Sequence, residues 1–292
     1  MTTSVPTLPP AHSQALALRY EREIATRRAR VLLGVAVFIA AMATAGWMTE
    51  VNLGKLFQNI GAFGSYIVRL AHLANGEPVW TDLGEWFWGL HKWTVLLGET
   101  LLIAYLGTAL GAITAFILCF PAALNLTPSP PVRFAARRFL EFCRSVPEIV
   151  FALVFVIAFG LGPIPGVLAL AIHGTGALGK LFSEIVENID MASVEGVRAT
   201  GAGRVAVIRF AVLPQVLSGF VSYTLLRFEI NVRSAAVMGF VGAGGIGQDL
   251  LEAIRKFYYS DVSAILILII MTVMVIDMVT ERIRHALTGM PA

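Results

Sequence analysis

Six long apolar runs, separated by polar intervals, set the organisation of this chain, and each is long enough to cross a lipid bilayer. They lie at about residues 31–48, 94–122, 138–159, 166–186, 215–241 and 262–280. Between the first and second, Leu53, Leu56, Phe57, Ile60, Phe63, Ile67 and Leu70 recur at helical spacing and predict an amphipathic helix on the outer membrane surface. Trp80, Trp86, Trp88 and Trp93 cluster ahead of the second run, where amphipathic rings sit at headgroup level; a binding surface is the alternative reading. Pro128, Pro130 and Pro131 end the second run, and residues 160–165 turn the third sharply into the fourth.

The longest moderately polar interval in the second half is 191–215, MASVEGVRATGAGRVAVIRFAVLPQ. Asp190, or Ser193 as an alternative, can cap a short helix there, and Gly201 and Gly203 break it. Pro214 suits the first turn of the following helix, where a missing N–H costs nothing. Such a stretch reads as a part that protrudes from the membrane to be gripped.

Composition agrees with a membrane protein. The 292 residues are 57% hydrophobic and 14% charged, against about a quarter charged in soluble domains. The two cysteines, Cys119 and Cys143, lie in or beside apolar runs and read as small apolar residues, not as a disulfide framework or metal site. Net charge is +3 with the basic residues scattered, which argues against nucleic-acid binding. Arg19, Arg22, Arg27, Arg28 and Arg30 precede the first run, whose length and place favour a retained first span over the competing reading of a signal peptide. The tail before it, 1–30, is expected to be disordered or an interfacial helix. With both termini inside, thirteen Lys or Arg fall in inner segments and five in outer ones, so the positive-inside rule places 191–215 in the cytoplasm.

Within the spans, Arg144 and Glu148, Lys180 and Glu184, and Arg227, Glu229 and Arg233 carry charge where charge is costly. Lys180 and Glu184 are four apart and suit a self-compensating pair. Arg227 and Arg233, six apart, cannot share one narrow stripe; one can pair with Glu229 or Glu148 while the other faces a path. Pro147 interrupts the helix beside Arg144 and Glu148, which can open backbone groups toward a cavity. A surplus of arginine there favours an anion, and structural interhelix pairing is the competing reading. His173 stands in a span either as a packing residue or as a ligand on the path. Gly242, Gly244, Gly245 and Gly247 match G-x-G-x-x-G literally, but without a βαβ context they read as a closely packed turn, or as small residues near an outer gate. Neither a nucleophile triad, a metal cluster nor a Walker loop is present, so the chain is expected not to hydrolyse ATP.

The order Glu195, three residues after Val197 to Gly201, nine residues, then Ala211, Val212, Leu213, Pro214 resembles the coupling motif of ABC importer permeases, with Gly196, Val197 and Ala211 in place of that motif's two alanines and isoleucine. Together with HGTGALGKLFSE at 173–184 and YTLLRFEINVRSAAVMGFVGAGGIGQ at 223–248, it resembles the permease subunit of the phosphonate ABC importer over about the last 120 residues. The resemblance implies an all-α integral membrane protein with six transmembrane helices and a type I importer fold. Its parts would be a cytoplasmic tail (1–30), a first span plus outer segment (31–93) and a transmembrane domain (94–284) that includes the coupling stretch 190–214. It implies a second permease chain as a homodimer, two cytoplasmic ATPase subunits that hold ATP and magnesium, and a periplasmic or extracellular phosphonate-binding protein. This chain would bind no cofactor. Glu195, Gly196, Arg198, Ala199, Gly201, Leu213 and Pro214 would serve coupling, and Arg144, His173, Arg227 and Arg233 would line the path of a phosphonate, phosphite or phosphate ester in a bacterial inner membrane. A permease for methionine or glycine betaine, or a stand-alone secondary transporter, are the rival readings.

Overall fold

The structure, a computed structural model, describes residues 10–49 and 53–288. The first nine residues of the tail, and residues 50–52 of the outer segment, lie outside the described residues. By internal contacts the chain divides into two units, 1–65 and 66–292.

In the first unit, α1 (Pro10–Met48) joins the arginine-rich tail to the first apolar run in one helix, and α2 (Leu53–Gln58) follows it. The tail therefore continues the span's helix from Pro10 onward. α3 (Ile60–Leu70) runs across the division, and none of its residues is buried, as the amphipathic pattern of that stretch requires of a surface helix.

The second unit begins with α4 (Leu83–Trp86), which Asp82 caps by accepting hydrogen bonds from the N–H groups of Gly84 and Glu85. Long helices follow: α5 (Leu90–Ala122), α6 (Pro130–Ser145), α7 (Glu148–Phe159) and α8 (Pro163–Glu187). After the short α9 (Met191–Ala199) and α10 (Arg204–Val207) come α11 (Leu213–Met238), α12 (Ile246–Arg255) and α13 (Tyr259–Thr288). Among the described residues five helical stretches are long and apolar enough to span a membrane, or six if α6 and α7 count as one broken span.

The third run differs from a single span. α6 and α7 meet at 85°, because Pro147 has no N–H to continue the helix and holds Val146 in extended backbone. The fifth span also starts earlier than expected. Helical backbone runs without a break from Arg204 to Val241, and Pro214 lies in the first turn of α11, as expected, directly after the turns that lead into it. A π turn at Ile208–Val212, in which Leu213 N–H donates to the carbonyl of Ile208, widens the coil where the proline ring would press on the preceding turn.

α5 and α8 form the centre of the bundle and touch backbone to backbone. A Cβ on Gly111 of α5 would sit 3.0 Å from the Ala171 carbonyl of α8, and a Cβ on Gly176 of α8 would sit 2.5 Å from the Arg144 backbone nitrogen of α6. Glycines in the 173–184 stretch thus let three helices close on one another. The four tryptophans differ in their packing. Trp93 is buried, Trp86 donates to Ser263 Oγ at 3.0 Å and Trp88 to Asp261 Oδ1 at 3.0 Å, while Trp80 is exposed. Apolar contact with α13 captures Trp86 and Trp93 because the span begins at Leu90, four residues earlier than its apolar run suggests.

Candidate functional site

α9 is built to stand off the bundle on a rigid base. Asp190 caps it by accepting from Ala192 N–H at 3.0 Å, and Gln215 grips the same end, accepting from Asp190 N–H at 3.0 Å and donating to the carbonyls of Asp190 (3.3 Å) and Ala211 (2.8 Å). Val194 is fully buried against Val186, Val207 and Val212, a burial worth roughly 1.5–3 kcal/mol relative to exposure. Glu195, Gly196, Arg198 and Ala199 are exposed. Gly201 ends the helix with φ +82, the left-handed conformation that favours glycine, and among the described residues nothing beyond its chain neighbours lies within 4 Å of where its Cβ would be. Gly203, by contrast, has an ordinary negative φ and only starts α10. Leu213 is half-buried and Pro214 exposed.

The base is tied to the bundle. Asn125 Nδ2 donates to the Val186 carbonyl at 2.8 Å, Leu124 N–H donates to Glu187 Oε1 at 2.7 Å, and Arg137 pairs with the same Glu187 oxygen. The end of α8 that leads into α9 is thus tied to α6 and to the turn after α5, and Asn125 Nδ2 also reaches Met191 Sδ of α9 at 3.5 Å. Arg198 and Arg204 line a cavity of about 290 Å³ between α9 and the 120–132 turn.

Farther along α11, every charged or amide side chain has a partner on another helix. Arg227 is buried at 9% relative exposure and its Nη2 donates to His173 Nδ1 of α8 at 2.7 Å; arginine only donates, so Nδ1 is the acceptor in that contact. Glu148 Oε2, in the first turn of α7, lies 3.0 Å from the same Nδ1, and Ser234 Oγ donates to Glu148 Oε1 at 2.8 Å. Arg227 Nε is buried without a hydrogen-bond partner. Asn231, fully buried, donates to Thr108 Oγ1 of α5 at 2.8 Å, and Thr280 of α13 donates to the buried Glu229.

Of the four path candidates, the structure brings His173 and Arg227 together and keeps the others apart. Arg233 pairs with Asp277 of α13 at 3.1 Å, both half-exposed, so neither arginine of α11 takes Glu229 as its partner. Arg144 is exposed at the end of α6 and has no ion pair or hydrogen bond to another described residue through its guanidinium. Lys180 and Glu184 pair at 2.8 Å on the surface of α8. Sequence reasoning overlooked Asn231, Thr108, Thr280 and Asp277; polar residues inside otherwise apolar runs were the available signal.

The glycine loop lies at the other end of α11 from α9. Gly242, Gly244 and Gly245 all have φ between 77 and 85. Gly162 N–H donates to the Gly242 carbonyl at 3.0 Å, Ile246 N–H to Thr100 Oγ1 at 2.9 Å, and a Cβ on Gly247 would lie 2.0 Å from the Ala236 carbonyl. These small residues are used inside the chain, where they fold α12 back against α5 and α11. α12 itself escaped the sequence reading, although Ile246, Leu250 and Ala253 form its buried stripe. At this same end a cavity of about 520 Å³ is lined by Arg69, His72, Trp88, Phe257 and Tyr258.

Comparison with known proteins agrees with this architecture. The binding-protein-dependent transport system inner membrane component family matches residues 107–288. The chain is 42% identical over 240 residues to the phosphite transport system permease protein PtxC of Stutzerimonas stutzeri, covering 80% of this chain and 87% of that protein. It is 55% identical over 117 residues to the putative cryptic phosphonate transport system permease protein PhnE2 of Escherichia coli (strain K12), covering 40% of this chain and 96% of that protein. In fold it is similar to the MetNI methionine ABC transporter in an inward-facing conformation, with a TM-score of 0.59 and 22% identity over 68% of this chain and 96% of that one. This chain therefore belongs to the family of binding-protein-dependent transport system inner membrane components, the multi-pass permease subunits of bacterial ABC importers.

Proposed function

We propose that this chain is half of a pore that carries phosphonate, phosphite or a phosphate ester inward across the bacterial inner membrane by ATP-driven alternating access. The observation that carries the substrate class is the 42% identity with the phosphite permease over most of both chains. The buried Arg227, with a guanidinium nitrogen left open, supports an anion on the path.

In this reading both termini lie inside, α9 protrudes into the cytoplasm, and each of two ATPase subunits, holding ATP and magnesium, grips the exposed face of one α9. Glu195, Gly196, Arg198 and Ala199 make that contact, Gly201 sets the turn, and Leu213 and Pro214 start the helix that takes up the motion. Because Val194 and Gln215 tie α9 to the bundle, closing the ATPase pair rotates the spans as bodies. A second copy of the chain completes the pore, and an extracytoplasmic binding protein delivers the anion at the opposite end, beside the Gly242, Gly244, Gly245 and Gly247 loop. Arg144 and Arg233 flank the route to His173 and Arg227.

Uptake of labelled methylphosphonate in cells lacking the chain tests this, with the intact gene or Glu195→Ala restored and methionine or glycine betaine as competitors. Uptake returns only with the intact gene and ignores both competitors. Competition by either amino-acid-like solute, or full uptake by Glu195→Ala, would refute the substrate or the coupling role respectively.

A further inference from the structure

The polar cluster where α7, α8 and α11 meet contains more hydrogen-bonding groups than its single imidazole nitrogen can serve. His173 Nδ1 carries either one lone pair or one proton. With the lone pair it accepts from Arg227 Nη2 at 2.7 Å, and Glu148 Oε2, 3.0 Å away, receives no proton from it. With the proton it donates to Glu148, and Arg227 Nη2 loses its acceptor. Ser234 serves only the other oxygen of Glu148, and Arg227 Nε has no partner in either case. Gly174 of α8 leaves the flank of that Nε without a side chain, since a Cβ there would lie 4.0 Å from it. The charged and titratable groups facing Glu148 are thus Arg227 from α11 and His173 from α8, and with the lone pair on Nδ1 the cluster keeps an unused donor beside an unserved acceptor.

We propose that Glu148 reads the proton of the transported oxyanion: Arg227 donates to a P–O⁻ oxygen while Glu148 Oε2 accepts from a P–OH on the same phosphorus. The site then selects a monoprotonated tetrahedral phosphorus oxyanion. An anion with no proton to give places a lone pair against the Glu148 carboxylate, and a buried acceptor facing another acceptor discriminates strongly. Glu148 is on this view a specificity-determining residue, and the inference rests on the phosphonate-import reading above.

The test uses the complete complex, with its ATPase and binding protein, reconstituted in vesicles. Uptake of methylphosphonate and of chloromethylphosphonate, whose second P–OH ionises at lower pH, is measured across pH and divided by the occupancy of the binding protein at each pH. In the wild type, uptake of each ligand falls about tenfold per pH unit once its last P–OH is lost, and the chloromethyl compound falls first. Glu148→Gln, whose amide can donate to the bare oxygen, flattens that fall for both ligands. Falls at one common pH for the two ligands, or parallel profiles for wild type and Glu148→Gln, would overturn the proposal while uptake itself upholds the substrate reading. No uptake of either ligand by the wild type at any pH would overturn that reading and this inference with it. Should Glu148→Gln fail to accumulate, the two-ligand comparison in the wild type decides alone.

Discussion

Alanine at Gly176 should force α6 off α8, whereas alanine at Gly179, one turn away on the same face, should be accepted. A Cβ at Gly176 would sit 2.5 Å from the Arg144 backbone nitrogen, 2.6 Å from the Leu140 carbonyl oxygen and 2.8 Å from Cys143 Cβ. Two of these are backbone atoms, so relief requires moving α6 on the order of 1 Å; overpacking of this kind costs roughly 1–3 kcal/mol, and the upper end applies here. The better helix propensity of alanine returns about 1 kcal/mol, leaving a net loss of roughly 2 kcal/mol. A loss of that size lowers the melting temperature by about 4–8 °C. At Gly179 the obstacle is the tip of the Leu140 side chain, Cδ2 at 2.4 Å, which can change rotamer; the cost of about 1 kcal/mol is then cancelled by propensity. Function should separate in the same way, because α6 ends three residues before Glu148, and moving it stretches the 3.0 Å contact with His173 beyond hydrogen-bond reach. The assay is thermal denaturation of the solubilised protein followed by size-exclusion chromatography, paired with uptake in cells. Gly176→Ala melting within 1 °C of Gly179→Ala, with equal uptake, would refute the reasoning.

Other perturbations follow from the same geometry. Gln215→Ala removes the grip on Asp190 and should cost roughly 1–2 kcal/mol locally; hydrogen exchange of residues 190–200 should speed up while that of α8 does not, and unchanged exchange at α9 would show that Gln215 does not anchor it. Phe257 is exposed at φ 59 beside the 520 Å³ cavity, a conformation that costs a non-glycine residue roughly 1–2 kcal/mol. Phe257→Gly should therefore raise the melting temperature; a lower melting temperature would show that contacts of the ring outweigh the backbone strain.

The spans were legible because an apolar run of bilayer length has few alternatives, and α9 was legible because its cap and its left-handed stop, Asp190 and Gly201, are local. The coupling of His173 with Arg227, and of Arg233 with Asp277, was not. Spacing along one helix shows that Arg227 and Arg233 face apart, but which helix each one meets depends on how α11 is rotated against α8 and α13. The 85° break at Val146–Pro147 was visible as a proline, not as an angle, since the direction of the new helix is decided by the glycine seam of α8 that α6 packs on. α12 was hidden for a different reason. Its ten residues are too few and too polar to register as a span, and its glycine-rich entry reads as loop until Thr100 and Ala236 are seen to hold it.

The most direct measurement is the ratio of phosphonate accumulated to ATP hydrolysed by the reconstituted complex, comparing the wild type with Gly201→Val and Gly201→Asn. Asparagine tolerates the left-handed backbone that Gly201 adopts at φ +82, and a β-branched valine does not. Wild type and Gly201→Asn should accumulate substrate only when ATP is present and at similar ratios, while Gly201→Val should hydrolyse ATP with accumulation near background. Accumulation without ATP, or a wild-type ratio in Gly201→Val, would contradict coupling through α9.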